Sequence, residues 1–188
     1  MEKKHIVKIP KNVVMVYSDA TNKLYLIGPL GSRSLVLKLK INVVNSARAI
    51  EITSNSFYSM SNYEKKKIKS VQGTTIAVIK HLLLEIVSVV YLRLKLVGVG
   101  YKASKLESSG GNLLMFKLGY SHLLYFKIPN KLGVFSLKFT KLFIYGNSYQ
   151  DVSQIASIIR SYKAPEPYKG KGILYESEKI SLKEGKKV

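Results

Sequence analysis

The sequence predicts an α+β chain of two tandem, similar domains, each a small, mostly antiparallel β-sheet packed with one helix, plus a basic C-terminal extension. Three observations predict it. Short runs of β-branched and large apolar residues are separated by glycine and asparagine turns. Late in each half the apolar period lengthens from two to between three and four. The same order of segments then occurs twice along the 188 residues.

The first half opens on a strand-like run through Ile6-Val7-Lys8-Ile9. Further strands are expected at Val13–Tyr17, Lys23–Ile27, Leu35–Ile41 and Ala49–Thr53. Between them lie Ser18-Asp19-Ala20-Thr21-Asn22, Gly28-Pro29-Leu30-Gly31-Ser32 and Asn45-Ser46, all turn chemistry. From about Tyr63, Ile68, Val71, Thr75, Ile79, Leu82, Leu83, Ile86 and Val90 recur every three or four residues, the stripe of one long amphipathic helix. Lys65, Lys66, Lys67 and Lys69 crowd its first turns, the unfavourable end of the helix dipole for cations, so an external group is expected to compensate there.

The second half repeats the pattern. Strands are expected at Tyr91–Lys102, Leu113–Gly119, Leu123–Ile128, Val134–Phe139 and Leu142–Tyr145. Asn147 then caps a helix with Gln150 as reciprocal partner, and Val152, Ile155, Ala156 and Ile159 form its buried stripe. Leu24-Tyr25-Leu26-Ile27…Gly31…Leu35-Val36-Leu37 lines up with Leu113-Leu114-Met115-Phe116…Gly119…Leu123-Leu124-Tyr125 as a duplicated hairpin. Helix period gives way to strand period between Ser88 and Leu92. The expected domains are therefore 1–89, 90–162 and the extension 163–188.

Thirty-one basic residues against eleven acidic ones give +20, and the bases are spread over both halves. Such self-repulsion is expected when much of the surface faces a polyanion, and nucleic acid fits better than one basic catalytic cleft. A membrane surface is not expected, because no basic amphipathic helix or juxtamembrane cluster stands out. Lys80, His81, Glu85, Arg93 and Lys95 interrupt the aliphatic stretch 76–99, where a spanning helix needs about 20 mostly apolar residues. With no cysteine, disulfides, iron–sulfur clusters and thiolate zinc sites are excluded. The N-terminus shows neither a signal-peptide core nor an import presequence.

Pro165-Glu166-Pro167-Tyr168-Lys169-Gly170-Lys171-Gly172-Ile173 is the most informative stretch. Two prolines stiffen its entry and two glycines free its exit, so neither a helix nor a central strand can run through it. An aromatic face and two lysines on unobstructed backbone suit closely approached phosphates. Seven lysines face four acids from Ser161 to Val188, while Ile173, Leu174 and Tyr175 imply that the segment packs on something.

Other motifs carry less. Gly98-Val99-Gly100-Tyr101-Lys102-Ala103 matches the dinucleotide fingerprint, but Ser104–Gly111 reads as a loop instead of the required helix, and no ribose-binding acid follows. Lys169-Gly170-Lys171-Gly172 lacks the spacing and hydroxyl of a phosphate-binding loop, and no G-x-S-x-G elbow occurs. His5, His81 and His122 are isolated from carboxylates at ligand spacing, so no metal is expected. Glu176 and Glu178 balance nearby lysines. Tyr101, Tyr120, Tyr162 and Tyr168 lie in glycine turns or the extension, where RNA contact and local packing are equally open. At His122, RNA contact and a structural role are both open. No catalytic residue and no cofactor are expected.

Several segments, in order and at family spacing, resemble the large ribosomal subunit protein six family. They are Leu96-Val97-Gly98-Val99-Gly100-Tyr101-Lys102-Ala103, Leu118-Gly119-Tyr120-Ser121-His122 and Pro165–Ile173, with Gly28-Pro29…Gly31, Gly73-Thr74-Thr75 and Leu182-Lys183-Glu184-Gly185-Lys186. The resemblance implies a duplicated α+β fold and a non-catalytic role in translation. It also implies binding of large-subunit rRNA, mainly through the second domain and extension, near the sarcin–ricin loop and stalk base. The implied partners are that rRNA, neighbouring ribosomal proteins and nearby translation factors, with no small-molecule substrate. The implied rRNA neighbours are Tyr101, Lys102, Ser121, His122, Lys163, Tyr168, Lys169, Lys171, Lys183 and Lys186. With them we place Arg160, Gly170, Gly172 and Lys187. Leu30, Ile76 and Leu174 stand where the family commonly has a basic residue, and Leu174 is then free to meet another protein. High Lys, Ile, Asn and Tyr content suggests an AT-rich organellar genome, hence a mitochondrial ribosome in the matrix, with a plastid or bacterial cytoplasm as alternatives. The competing function is a free-standing RNA-binding or ribosome-maturation factor.

Overall fold

Alternation along Lys23-Leu24-Tyr25-Leu26-Ile27 puts Leu24 and Leu26 on one side of an extended chain, and both are fully buried while Tyr25 and Ile27 face outward. That pattern, repeated strand by strand, sets the architecture. A computed structural model describes residues 5–44, 47–59, 61–108 and 111–185. The chain divides into two units, Met1–Val89 and Val90–Val188, each with its own apolar core.

In the first unit, β1 (Ile6–Lys8) is followed by a meander of β2 (Val14–Ser18), β3 (Lys23–Gly28) and β4 (Gly31–Val36). The hairpin of β5 (Leu39–Val44) and β6 (Ala49–Ser56) takes β1 on its far side, giving the order β1-β6-β5. α1 (Asn62–Lys66) and α2 (Ile68–Val87) close the unit. α2 buries Ile76, Ile79, Leu83 and Ile86 against the strands. By length and composition α2 also meets the requirement for crossing a membrane. Ile76 is core, which accounts for an apolar residue there.

The second unit repeats the plan. β7 (Val90–Val97) leads into the meander β8 (Lys102–Ser108), β9 (Gly111–Lys117) and β10 (Leu124–Lys127). β11 (Leu132–Lys138) and β12 (Lys141–Gly146) form the hairpin that takes β7, and α3 (Tyr149–Ser161) packs on that sheet. One strand has no counterpart among the described residues of the first unit. β13 (Gly172–Tyr175), from the basic extension, pairs antiparallel with the free edge of β7, for the order β11-β12-β7-β13. It is an edge strand, as its prolines and glycines require. Leu174 is buried there, so the unit itself, and no partner protein, covers it.

Several boundaries differ from the expectation. The run Leu35–Ile41 breaks because Leu37 turns its N–H to the Asn22 carbonyl (2.8 Å) and carries the chain from one sheet to the other. Tyr91–Lys102 breaks at Gly98 (φ 152°) and Gly100 (φ 73°), and Ser104–Ser108, expected as loop, belongs to β8, held by pairing with Met115 and its neighbours. The long helix is interrupted at Lys67, and Val90 belongs to β7. Ser148, not Asn147, caps α3, its hydroxyl accepting the Asp151 N–H. Burial also shifts the internal alignment by one: Leu24 and Leu26 correspond to Leu114 and Phe116, since a one-residue slip would turn every side chain to the wrong face. The Asn45-Ser46 turn lies outside the described residues.

Candidate nucleic-acid interface

The extension is built on its own backbone. The Glu166 N–H donates to the Lys171 carbonyl and the Gly170 N–H to the Glu166 carbonyl, both at 2.9 Å, closing a tight loop around Tyr168 and Lys169. Gly170 sits at φ 67°, a left-handed conformation that favours glycine. Gly172 (φ 151°) lies so close to Pro165 that a Cβ would stand 2.6 Å from its Cα. The Ile173 N–H then reaches the Lys163 carbonyl (2.8 Å), and the Lys183 N–H reaches the Pro167 carbonyl (2.9 Å). Both ends of the loop are thus pinned, which keeps Tyr168 and Lys169 exposed on a fixed frame.

A cleft of about 510 Å³ joins this loop to the two glycine turns; Tyr101, Tyr120, Lys163, Ala164, Glu166 and Lys171 line it. Tyr101 is not offered as a stacking ring. It lies between Gly98 and Gly119, where added Cβ atoms would come within 2.7 and 3.2 Å of the ring. The glycines therefore make room for this chain's own tyrosine. Tyr162 is likewise packed, edge-on to Phe116 (5.9 Å) and Phe126 (6.3 Å). Tyr120 donates to the Tyr162 carbonyl (3.0 Å), stacks on His122 (5.9 Å between centroids, 18°), and carries the Lys163 ammonium 4.3 Å above its ring. Ser121 is exposed beside them in the β9–β10 turn.

The cations sort into two groups. The Arg160 guanidinium makes a two-point contact with Glu178 (Nε–Oε2 3.0 Å, second contact 2.5 Å). Hydrogen bonding from Arg160 holds the Glu178 carboxyl below the usual range, and the same bond raises Arg160. Glu178 also accepts the Tyr175 N–H (3.2 Å). Arg160 thus fastens the chain after β13 to α3, with about a third of its side chain, 32%, still exposed. Lys102, Lys163, Lys169, Lys171 and Lys183, by contrast, have no carboxylate partner among the described residues. Lys102 stands apart from the cleft, over the Phe139 ring at 5.8 Å. Lys186 and Lys187 lie outside the described residues. Glu176 pairs with Arg93 (3.1 Å), so each of the two glutamates binds an arginine.

Sequence reasoning missed one group. Tyr91, Arg93 and Lys95 alternate along β7, and Lys141, Phe143 and Tyr145 along β12, all on the sheet face away from the core residues Leu94, Leu96, Leu142 and Ile144. The period-two alternation of cations and rings was the available signal.

These features define a class: basic, duplicated α+β proteins whose second copy carries a pinned lysine loop. Comparison gives the family. The family described as Ribosomal protein L6 matches residues 97–176. The chain is 33% identical to the large ribosomal subunit protein uL6 of Nitrobacter winogradskyi, over 98% of this chain and 97% of that one. It is 33% identical to the same-named protein of Geotalea daltonii (96% and 93% covered) and 38% identical to that of Mycoplasmoides gallisepticum (96% and 93%). The chain belongs to the ribosomal protein L6 family, a family of structural, non-enzymatic proteins of the large ribosomal subunit.

Proposed function

We propose that the protein clamps large-subunit rRNA through its C-terminal unit and extension, bracing the factor-binding region near the sarcin–ricin loop and stalk base. The pinned loop with Lys163, Lys169, Lys171 and Lys183 carries this reading: four cations without carboxylate partners among the described residues, on a rigid frame, pre-position phosphate contacts at little entropic cost. Gly170 and Gly172 give the frame its shape, and His122 on Tyr120 extends it to the β9–β10 turn. RNA shape rather than base identity is recognised. Neighbouring ribosomal proteins and translation factors are then the proteins nearby. The Lys-, Ile-, Asn- and Tyr-rich composition supports a mitochondrial ribosome, while the bacterial relatives above fit a bacterial cytoplasm equally well.

Ribosomes sedimented through high salt test the assignment. Stoichiometric retention on the large subunit, released by ribonuclease, is expected; a chain found in the light fractions is instead an exchangeable RNA-binding or maturation factor. Fractionation of the source cells decides the compartment. For the loop, Lys169→Ser with Lys171→Ser is expected to flatten the salt dependence of rRNA binding by about 0.9 per lost duplex phosphate contact, or about 0.7 for single strands. An unchanged slope removes these lysines from the interface.

A further inference from the structure

The outward face of the β11–β12–β7 strands gathers rings and cations in adjacent rows. Along one cross-strand row, Phe135 stands opposite Phe143, which stands opposite Arg93. In the next, Lys138, Lys141 and Lys95 are direct neighbours across three strands. Tyr145 and Tyr91 pair in a third row. Phe135 is 57% exposed, Tyr91 55% and Tyr145 46%. Arg93 lies over the rings of Tyr91 (5.2 Å) and Phe143 (4.8 Å), and a cleft of about 250 Å³ opens among Arg93, Lys95, Lys141, Phe143 and Glu176. Glu176 balances Arg93, and the Lys95 ammonium donates to the Glu176 carbonyl (3.1 Å), a contact that leaves its charge unneutralised.

Three lysines side by side on adjacent strands repel one another, a destabilising arrangement in an isolated sheet. A polyanion laid across the row removes the penalty. The duplicated first unit supplies a control. Two of its equivalent rows, Asn42–Glu51–Ile6 and Val44–Ala49–Lys8, hold one acid, one lysine and no ring, while next to Thr53 Lys40 lies over the Phe57 ring at 6.0 Å. The fold does not need the cations or the aromatics. Four-stranded antiparallel sheets with a helix behind and aromatic residues in front are a recurring platform for unstacked RNA bases.

We propose that this face is a second RNA-binding surface, which stacks unpaired bases on the exposed rings of Phe135 and Tyr145, beside Arg93 on Tyr91 and Phe143, while Lys138, Lys141 and Lys95 hold the backbone. It rests on the reading that the partner of this chain is RNA, but it uses side chains separate from the lysine loop. The surface takes single-stranded segments, where the loop takes helix backbone.

The test uses the full chain, an oligouridylate as single-stranded probe, and a large-subunit rRNA fragment. Phe135→Leu with Tyr145→Leu keeps apolar bulk on the sheet but removes two π faces. Oligouridylate affinity is expected to fall roughly tenfold or more per ring, in line with base–aromatic stacking, and this loss is expected to persist at high salt, whereas the loss caused by Lys169→Ser with Lys171→Ser is expected to fade as salt rises. Photocrosslinked uridine is expected on peptides spanning Phe135–Tyr145. Unchanged affinity of the leucine variant, with crosslinks elsewhere, overturns the proposal and assigns the face to a protein neighbour; the loop variant's loss on the rRNA fragment still upholds the first reading. A wild-type chain that binds neither RNA overturns both. Circular dichroism of each variant excludes unfolding as the cause.

Discussion

The two units are the same fold used for different ends. β1 corresponds to β7, the meander β2–β4 to β8–β10, the hairpin β5–β6 to β11–β12, and α2 to α3. Their cores are matched in kind, with Leu24, Leu26, Ile50 and Ile79 in one and Leu114, Phe116, Leu142 and Ile159 in the other. Their surfaces are not. The outward meander face of the first unit carries Val14, Val16, Tyr25, Ile27 and Val36 with one lysine, Lys23, while that of the second carries Leu106 and Tyr125 with three, Lys102, Lys117 and Lys127. The first leaves β1 at a sheet edge; the second covers β7 with β13. Duplication therefore preserved what folding demands and freed the exposed positions to diverge.

Core substitutions should break the comparison most severely. Phe116→Ala is expected to cost about 3–5 kcal/mol and Leu26→Ala about 2–5 kcal/mol. Hydrogen exchange should show protection lost mainly in the substituted unit, because each core is lined by residues of one unit alone. Equal loss in both units would show that they unfold as one.

Next in size is the strand that only the second unit possesses. Gly172→Ala places a Cβ against the Pro165 backbone at a φ that L-residues avoid, at a cost of roughly 2–3 kcal/mol. Faster exchange of the amides of β7 that face β13 is the expected signature. No change there would mean that the extension holds without its glycine geometry.

The Arg160–Glu178 contact sharpens the same point. Glu178 is held below the ordinary glutamate value of about 4.3, chiefly by the Arg160 hydrogen bond. Its stabilising share is therefore complete above that ordinary value and is lost as pH falls through the lowered one. Glu178→Gln is expected to cost about 1 kcal/mol near neutrality and to reduce the acid-side fall in stability. Thermal melts across pH 2–7 provide the check.

The smallest effects concern helix starts. α3 has the Ser148 cap and Asp151 in its first turn; α2 starts at Lys67 with no side-chain cap and no acid. Lys67 instead rests over the Tyr63 ring (4.2 Å) and donates to its hydroxyl (2.5 Å). Ser148→Ala should destabilise by about 1 kcal/mol, and Lys67→Ser should stabilise by roughly 0.5–1 kcal/mol. If Lys67→Ser also weakens RNA binding, the lysines at this start are there for an anion rather than for the helix.

Much of this was legible locally. Strand alternation around Leu24 and Leu114, the α3 stripe of Val152, Ala156 and Ile159, and the break imposed by Pro165 and Pro167 follow from side-chain chemistry and period. Of the candidate site, the exposed lysines and Tyr168 stood out because two prolines and two glycines bar a helix or central strand and leave the lysines on unobstructed backbone. Arg160 did not reveal its partner, since Glu178 is brought to it only when β13 docks and the chain turns back over α3. For Tyr101 the sequence leaves RNA contact and local packing equally open, because the glycine turns that close on its ring, at Gly98 and Gly119, meet only in the folded chain.

By itself, then, the sequence determined which residues face inward, where the chain turns, the net charge that calls for a polyanion, and the repetition of one plan. These depend on composition and on neighbours within a few residues. The tertiary structure alone decided which cations pair with internal carboxylates, that the Tyr101 ring packs between Gly98 and Gly119, and that Lys138, Lys141 and Lys95 share a row. Those outcomes depend on strand register and on contacts between residues far apart in the chain, where a one-residue shift reverses every face.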